Sequence, residues 1–139
     1  GNRFAVIYGQ STSAQYADLA EKYEADADYA PGTVVHFGGD KEVAGCDVDH
    51  CTKVAGVVST NPAYKMNDTL EAEHTAMVAL TGRVPCKVTG AVAKGDMMVS
   101  AGNGHARAEA DPKVGAVIGK ALEAWEGGEG VIEVVVGKH

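Results

Sequence analysis

Apolar and β-branched residues recur along the chain in short runs, and most runs end at glycine, asparagine or aspartate. Such runs are typical of β-strands separated by tight turns. The segments Gly38-Gly39-Asp40 and Gly102-Asn103-Gly104 fit hairpin turns, because glycine and asparagine tolerate the positive φ that those turns require. The pattern predicts a mainly β fold, a compact β-sandwich or barrel-like domain. Its predicted strands are 4–8, 33–37, 54–59, 75–81, 83–88, 97–100, 105–108, 116–122 and 131–136.

The segment 11–26 supports two interpretations. Serine and threonine at 11–13 could cap a helix rich in alanine, whereas the alternation over 19–23 fits a strand with Leu19, Glu21 and Tyr23 on one face. We favour a helical or flexible lead-in followed by an extended strand. The predicted organisation is therefore a lead-in over 1–17 and a single β domain over 18–139.

Two stretches of the chain share a spacing. Gly32 is followed by Gly56, and Gly95 by Gly119, each after 24 residues. Valine-rich or methionine-rich words surround all four glycines, and each half carries a hairpin signal after its first glycine. The spacing predicts two similar β units, with half-units at about 29–60 and 92–123 that complete one core. The run around Gly82 would join them.

Charge and length narrow the function classes. A chain of 139 residues suits one domain, and its formal net charge of −7 lacks the basic surface that a nucleic-acid partner needs. No apolar run approaches the length of a membrane span. We therefore expect neither a nucleic-acid nor a membrane partner. No motif predicts a cofactor.

The segment Cys46-Asp47-Val48-Asp49-His50-Cys51 is the strongest candidate for a site. Cys46, His50 and Cys51 could supply three zinc ligands, but the spacing matches no standard zinc module. A local disulfide between the two cysteines would need an oxidising compartment. An exposed loop with two free thiols is the interpretation we favour. The third cysteine, Cys86, is remote in the sequence.

Several words of the chain occur in an order that resembles a known group of proteins. The chain is similar to C-terminal domains of tail-fibre and appendage structural proteins of tailed bacteriophages, notably phages of marine cyanobacteria. The words that carry this resemblance are 18–23, 29–35, 54–64, 79–88, 94–96 and 117–123. The resemblance implies a virion structural module, made in the host cytoplasm, that aids folding and assembly as a homo-oligomer, with a trimer favoured. Its other partners would be the rest of the fibre or virion and the host cell surface.

A more distant resemblance is to the self-cleaving intramolecular-chaperone domains of phage appendages. It implies catalytic roles for Asp18 and Glu21, which match an Asp-x-Ala-Glu word of that family. The family's serine, two residues before the aspartate, is replaced here by Tyr16, so the nucleophile of an acyl shift is missing. Two alternatives to an assembly module follow: a domain that cleaves its own chain once, and a module that binds a host glycan or protein.

Overall fold

A computed structural model describes residues 18–139, which form ten strands and contain no helix. The N-terminal lead-in over 1–17 and the predicted strand at 4–8 lie outside these residues. The strands are β1 (Asp18–Glu24), β2 (Val34–His36), β3 (Ala44–Gly45), β4 (Val54–Val58), β5 (Tyr64–Met66), β6 (Thr75–Thr89), β7 (Met97–Gly102), β8 (His105–Ala108), β9 (Gly119–Ala121) and β10 (Glu129–Val136).

The strands close into two five-stranded rings that share β6. One ring runs β10–β9–β7–β8–β6 and closes where β10 pairs with the second half of β6. The other runs β6–β4–β2–β3–β1 and closes through a parallel bridge between Ala25 and Val43. In chain order this is the first ring, and the ring that contains β10 is the second. The predicted mainly β, barrel-like fold is confirmed.

Strand pairs of the first ring recur in the second, 63 residues later. Val35 pairs with Gly56 and Gly45, and Met98 pairs with Gly119 and Ala108. The closing bridge recurs too, because Val88 pairs in parallel with Ala106 as Ala25 does with Val43. The fold is thus built from two similar β units, as the glycine spacing predicts. The matching pairs also include strands outside 29–60 and 92–123.

The turns that open β2 and β7 repeat as well. The Gly32 amide donates to the Val58 carbonyl at 2.8 Å, and the Gly95 amide donates to the Ala121 carbonyl at 2.7 Å. Gly32 has a φ of +89° and Gly95 a φ of +90°, a backbone conformation that residues other than glycine adopt only at a cost in free energy. The repeat therefore extends from strand register to individual hydrogen bonds.

Strand β6 is the structural axis of the molecule. Its 15 residues form the last strand of the first ring and the first strand of the second. The prediction of two strands, 75–81 and 83–88, is wrong here: Gly82, at φ +102°, does not interrupt the strand. Leu80 has no pairing partner in β1, which places a bulge just before this glycine.

Among the other predictions, a strand and a hairpin are confirmed, and two short strands of the structure were missed. The strand over β1 is confirmed, and the helical interpretation of 11–26 is wrong for Asp18–Glu24. The hairpin at Asn103 and Gly104 is confirmed, since both have positive φ between Gly102 and His105, which pair. Strands β3 and β5 carry no run of β-branched residues and were not predicted.

The core consists of two clusters, one on each side of the shared strand. The larger is built from valines of both rings around Met98, the largest fully buried side chain, and includes all three cysteines. The smaller contains Ala25, Val35, Val43, Val58, Ala76 and Val78. Both clusters contain residues of the first ring. Cys46 and Cys51, the two ends of the 46–51 loop, belong to the larger cluster, which both rings form.

Candidate functional site

The loop from Cys46 to Cys51 is held in place by Ser100 of β7. The Ser100 hydroxyl donates to the Val48 carbonyl and accepts from the Cys51 amide, both at 2.8 Å. The Ser100 carbonyl accepts from the His50 amide at 2.8 Å. Ser100 is fully buried, so a single serine of the second unit shapes a loop of the first.

This loop brings the two sulfurs together and places them beside His36. The ligand atoms of His36, Cys46 and Cys51 all lie within 4.8 Å of one another. Both cysteines are free and buried, and His36 is partly exposed. The Cys51 sulfur accepts a hydrogen bond from the Lys53 amide at 3.3 Å. The sequence suggested His50 as the third ligand, but the structure brings His36 to the sulfurs instead.

His50 points to a different set of partners. Its Nε2 accepts from the Lys113 amide at 3.0 Å, and its Nδ1 lies 3.9 Å from a Glu109 carboxylate oxygen. These contacts require Nε2 to be unprotonated, so His50 acts as a structural acceptor here. Its positive φ of 55° belongs to the sharp turn that Ser100 stabilises.

Arg107 joins the loop to the second unit. Its guanidinium donates to both carboxylate oxygens of Asp49, at 2.7 and 3.1 Å, and to Glu109 at 2.8 Å. The paired Arg107 holds the pKa of both carboxyls below their ordinary values. A two-pronged contact of this kind fixes the relative orientation of its partners.

Asp18 and Glu21, the residues matched to the self-cleaving domains, lie on β1 and have different surroundings. Asp18 is buried, and its Oδ2 has no hydrogen-bond partner among residues 18–139. Burial raises the pKa of the Asp18 carboxyl, which a hydrogen bond with Ser59 partly offsets. Glu21 accepts instead from the Tyr23 hydroxyl at 2.9 Å. Within the described part of the chain, no hydrogen bond joins the two carboxyls.

Cys86 differs from the other two cysteines in its surroundings, because it is not part of the group that contains a histidine. It lies on β6, fully buried, and burial raises the pKa of its thiol to about 12. Burial also raises the pKa of Cys46, and the neighbouring Cys51 adds to that shift. Of the three thiols, only Cys46 and Cys51 share surroundings with a histidine.

A shallow cleft of about 340 Å³ opens beside β7 and β9. Its polar side chains are Asp96, Glu109 and Lys120. The Asp96 carboxylate already accepts a hydrogen bond from the Ala93 amide of the same turn, at 2.8 Å.

Between residues 18 and 139 we find no helix long and apolar enough to cross a membrane.

The chain was compared with protein families, curated proteins and solved structures. No protein-family model matches the chain, and no curated protein matches it. Among solved structures, the N-terminal base of the head fibre protein gp8.5 of bacteriophage phi29 is similar, with a TM-score of 0.48 and 16% sequence identity. The similarity covers 84% of this chain and 92% of that one. A similarity at this level assigns neither a fold nor a function to the chain.

Proposed function

We propose that this chain is a non-enzymatic structural module of a bacteriophage fibre or appendage, and that it promotes assembly by associating with copies of itself. The ordered sequence words over 18–137 support the phage class. The observation that carries self-association is the exposed apolar edge formed by β5 (Tyr64–Met66).

Strand β5 has the properties of an unfinished sheet edge. Among the described residues it pairs with β1 alone, so no other strand of 18–139 covers its second side. Tyr64 is 72% exposed and Met66 is 40% exposed, and Lys65 between them is exposed as well. Apolar side chains on an open edge strand favour pairing with another chain. A second copy is the occupant that the resemblance to oligomeric fibres favours.

Rigid packing beneath the edge would suit this role. β5 aligns in parallel with β1, and β1 pairs along seven residues with β6. The edge is therefore anchored to the strand that both rings share. Cyclic symmetry can repeat one contact around a fibre axis, and the resemblance to phage fibre proteins is our reason for favouring a trimer.

Light scattering coupled to gel filtration tests the proposal on the full chain. We expect a mass three times the chain mass of 14.3 kDa. Tyr64→Lys should shift the mass towards the monomer while the far-UV spectrum stays unchanged. Val114→Lys, at a side chain that is 98% exposed but lies in a loop, is the matched control and should stay oligomeric. A wild-type chain that is monomeric at all concentrations would rule the proposal out.

A further inference from the structure

We propose that His36, Cys46 and Cys51 form a zinc site with two thiolates and one imidazole. The site is independent of the assembly function proposed above. It is carried by three features: the convergence of the ligand atoms, their placement on fixed backbone, and the comparison between the two units of the fold.

The ligand atoms have the spacing that a tetrahedral ion needs. Zinc–sulfur bonds of about 2.3 Å and zinc–nitrogen bonds of about 2.0 Å place neighbouring ligand atoms about 3.5–3.8 Å apart. All three atoms already lie within 4.8 Å of one another. Shifts of the ligand atoms by about an ångström or less would therefore bring them to the separations that a bound zinc ion requires. Two soft sulfurs and one imidazole favour zinc over calcium or magnesium, which prefer oxygen.

Each ligand stands on backbone that the fold holds in place. The Cys46 amide donates to the Val34 carbonyl at 2.9 Å, and its carbonyl accepts from the Gly104 amide at 2.8 Å. The Cys51 amide is bound by Ser100, and the Cys51 sulfur receives the Lys53 amide. This hydrogen bond holds the Cys51 sulfur in one position.

The imidazole of His36 lies against Gly38. A Cβ at Gly38 would come within 2.6 Å of the ring carbon Cε1 and within about 3 Å of both ring nitrogens. The φ of Gly38 is not in the left-handed region, so a side chain there would act on the ring by displacing it. The absence of a side chain at Gly38 therefore leaves the ring room beside the sulfurs.

The second unit shows that the fold does not need these residues. Val99 stands on β7 where His36 stands on β2, since Val99 pairs with Arg107 as His36 pairs with Ala44. Glu109 likewise takes the place of Cys46: its amide donates to Met97 as the Cys46 amide donates to Val34, both at 2.9 Å. A histidine and a buried cysteine at these positions are thus particular to the first unit, where the second cysteine lies close by.

Binding replaces the two thiol protons with one Zn²⁺. The two thiolates and the neutral imidazole each supply an electron pair, the protons pass to solvent, and the net charge of the site is unchanged. Water from the partly exposed side of His36 completes the fourth position. An ion held this way ties the 46–51 loop to β2.

Cobalt serves as the spectroscopic probe for zinc. The full chain, freed of metal by a chelator and kept reduced, is titrated with Co²⁺. We expect one equivalent to bind, with a thiolate-to-cobalt charge-transfer band and the visible bands of a tetrahedral ion, and expect Zn²⁺ to remove both. An absent charge-transfer band, or a Cys46–Cys51 disulfide found by mass under reducing conditions, would overturn the site.

Variants separate coordination from folding. His36→Val copies the residue of the second unit and should fold, yet weaken cobalt binding at least about tenfold. Gly38→Ala keeps every ligand and should weaken binding by displacing the ring. Cys86→Ala, which removes the one cysteine of the same core cluster that is outside the ligand group, is the control and should bind as the wild type does. Unchanged cobalt affinity in both His36→Val and Gly38→Ala would refute the assignment of His36.

Discussion

Gly56 and Gly119 occupy equivalent positions in the two units, each with its Cα packed against a backbone carbonyl of the last strand of its unit. A Cβ at Gly56 would meet the Ala79 carbonyl oxygen at 2.5 Å, and one at Gly119 would collide with the Val135 carbonyl. Because those strands pair across the glycines, no side chain can be admitted without separating them. Glycine therefore stands at 56 and 119 because a neighbouring strand passes too close for a side chain at either position.

Gly119→Ala should lower the free energy of unfolding by about 3 kcal/mol, the upper part of the range for overpacking. The φ of Gly119 is not left-handed, so this loss would come from the clash with the backbone of Val135 and Val136 alone. Gly90→Ala is the comparison, since Gly90 has a φ of +84° but open space around it, and should cost about 1–2 kcal/mol. Urea denaturation measures both. A loss in Gly119→Ala no larger than in Gly90→Ala would contradict the steric explanation.

Asp49 and Arg107 should be energetically coupled across the two units. A double-mutant cycle with Asp49→Asn and Arg107→Gln should give about 1 kcal/mol, because the contact is two-pronged and the guanidinium is mostly covered. The coupling should shrink in high salt. The pair of Glu24 and Lys41, at 3.5 Å and more exposed on the cation side, should give less. Equal coupling energies for the two pairs would show that the two-pronged contact between Arg107 and Asp49 adds nothing to an ordinary surface ion pair.

Asp18→Asn should stabilise the protein at pH 7 by about 1–3 kcal/mol, because it removes the charge of a buried carboxylate whose Oδ2 has no partner among residues 18–139. The pKa of Asp18 is raised above its ordinary value of 3.8, so the folded chain holds the proton more tightly than the unfolded chain. Stability is therefore lost as pH rises from 3.8 through the folded pKa.

The gain in Asp18→Asn should accordingly disappear below pH 3.8, where wild-type Asp18 is protonated in both states. Thermal melts between pH 3 and 7 measure this difference. Asp40→Asn, at an exposed aspartate, is the control and should change stability little at any pH. A gain in Asp18→Asn that does not depend on pH would show that charge is not its cause.

Cys86 should resist alkylation in the native protein. Its thiol is fully buried and its pKa is raised to about 12, so at pH 8 almost none is thiolate and none is accessible. Iodoacetamide followed by peptide mass spectrometry should find Cys86 unmodified until denaturant is added. Rapid native labelling of Cys86 would mean that the second half of β6 opens locally.

The sequence was informative where residue type and conformation are tightly linked. Positive φ at Asn103 and close approach at Gly119 need particular residues, so turns and the repeat were visible in advance. Strand β3 was not, because Ala44 and Gly45 have no strand propensity and pair only through tertiary context.

The third ligand of the cysteine cluster was missed for the same reason. His36 is ten residues before Cys46, and only the pairing of β2 with β3 brings it near the sulfurs. His50 is close in sequence, but the turn at His50 directs its ring towards Lys113. Proximity along a chain predicts a shared site poorly when a sharp turn intervenes.

The first described residue of β1 and the last residue of β10 meet at the middle of β6. Asp18 and Val136 pair with the same residue, Gly82, one on each side of it. Neighbouring strands lie about 4.8 Å apart, so the two attachment points are about 10 Å from each other on a strand about 50 Å long. A pulling force applied through them would load the sheet at its centre and leave the far ends of both rings unstressed. The hydrogen bonds on the two sides of Gly82 would therefore bear that force together.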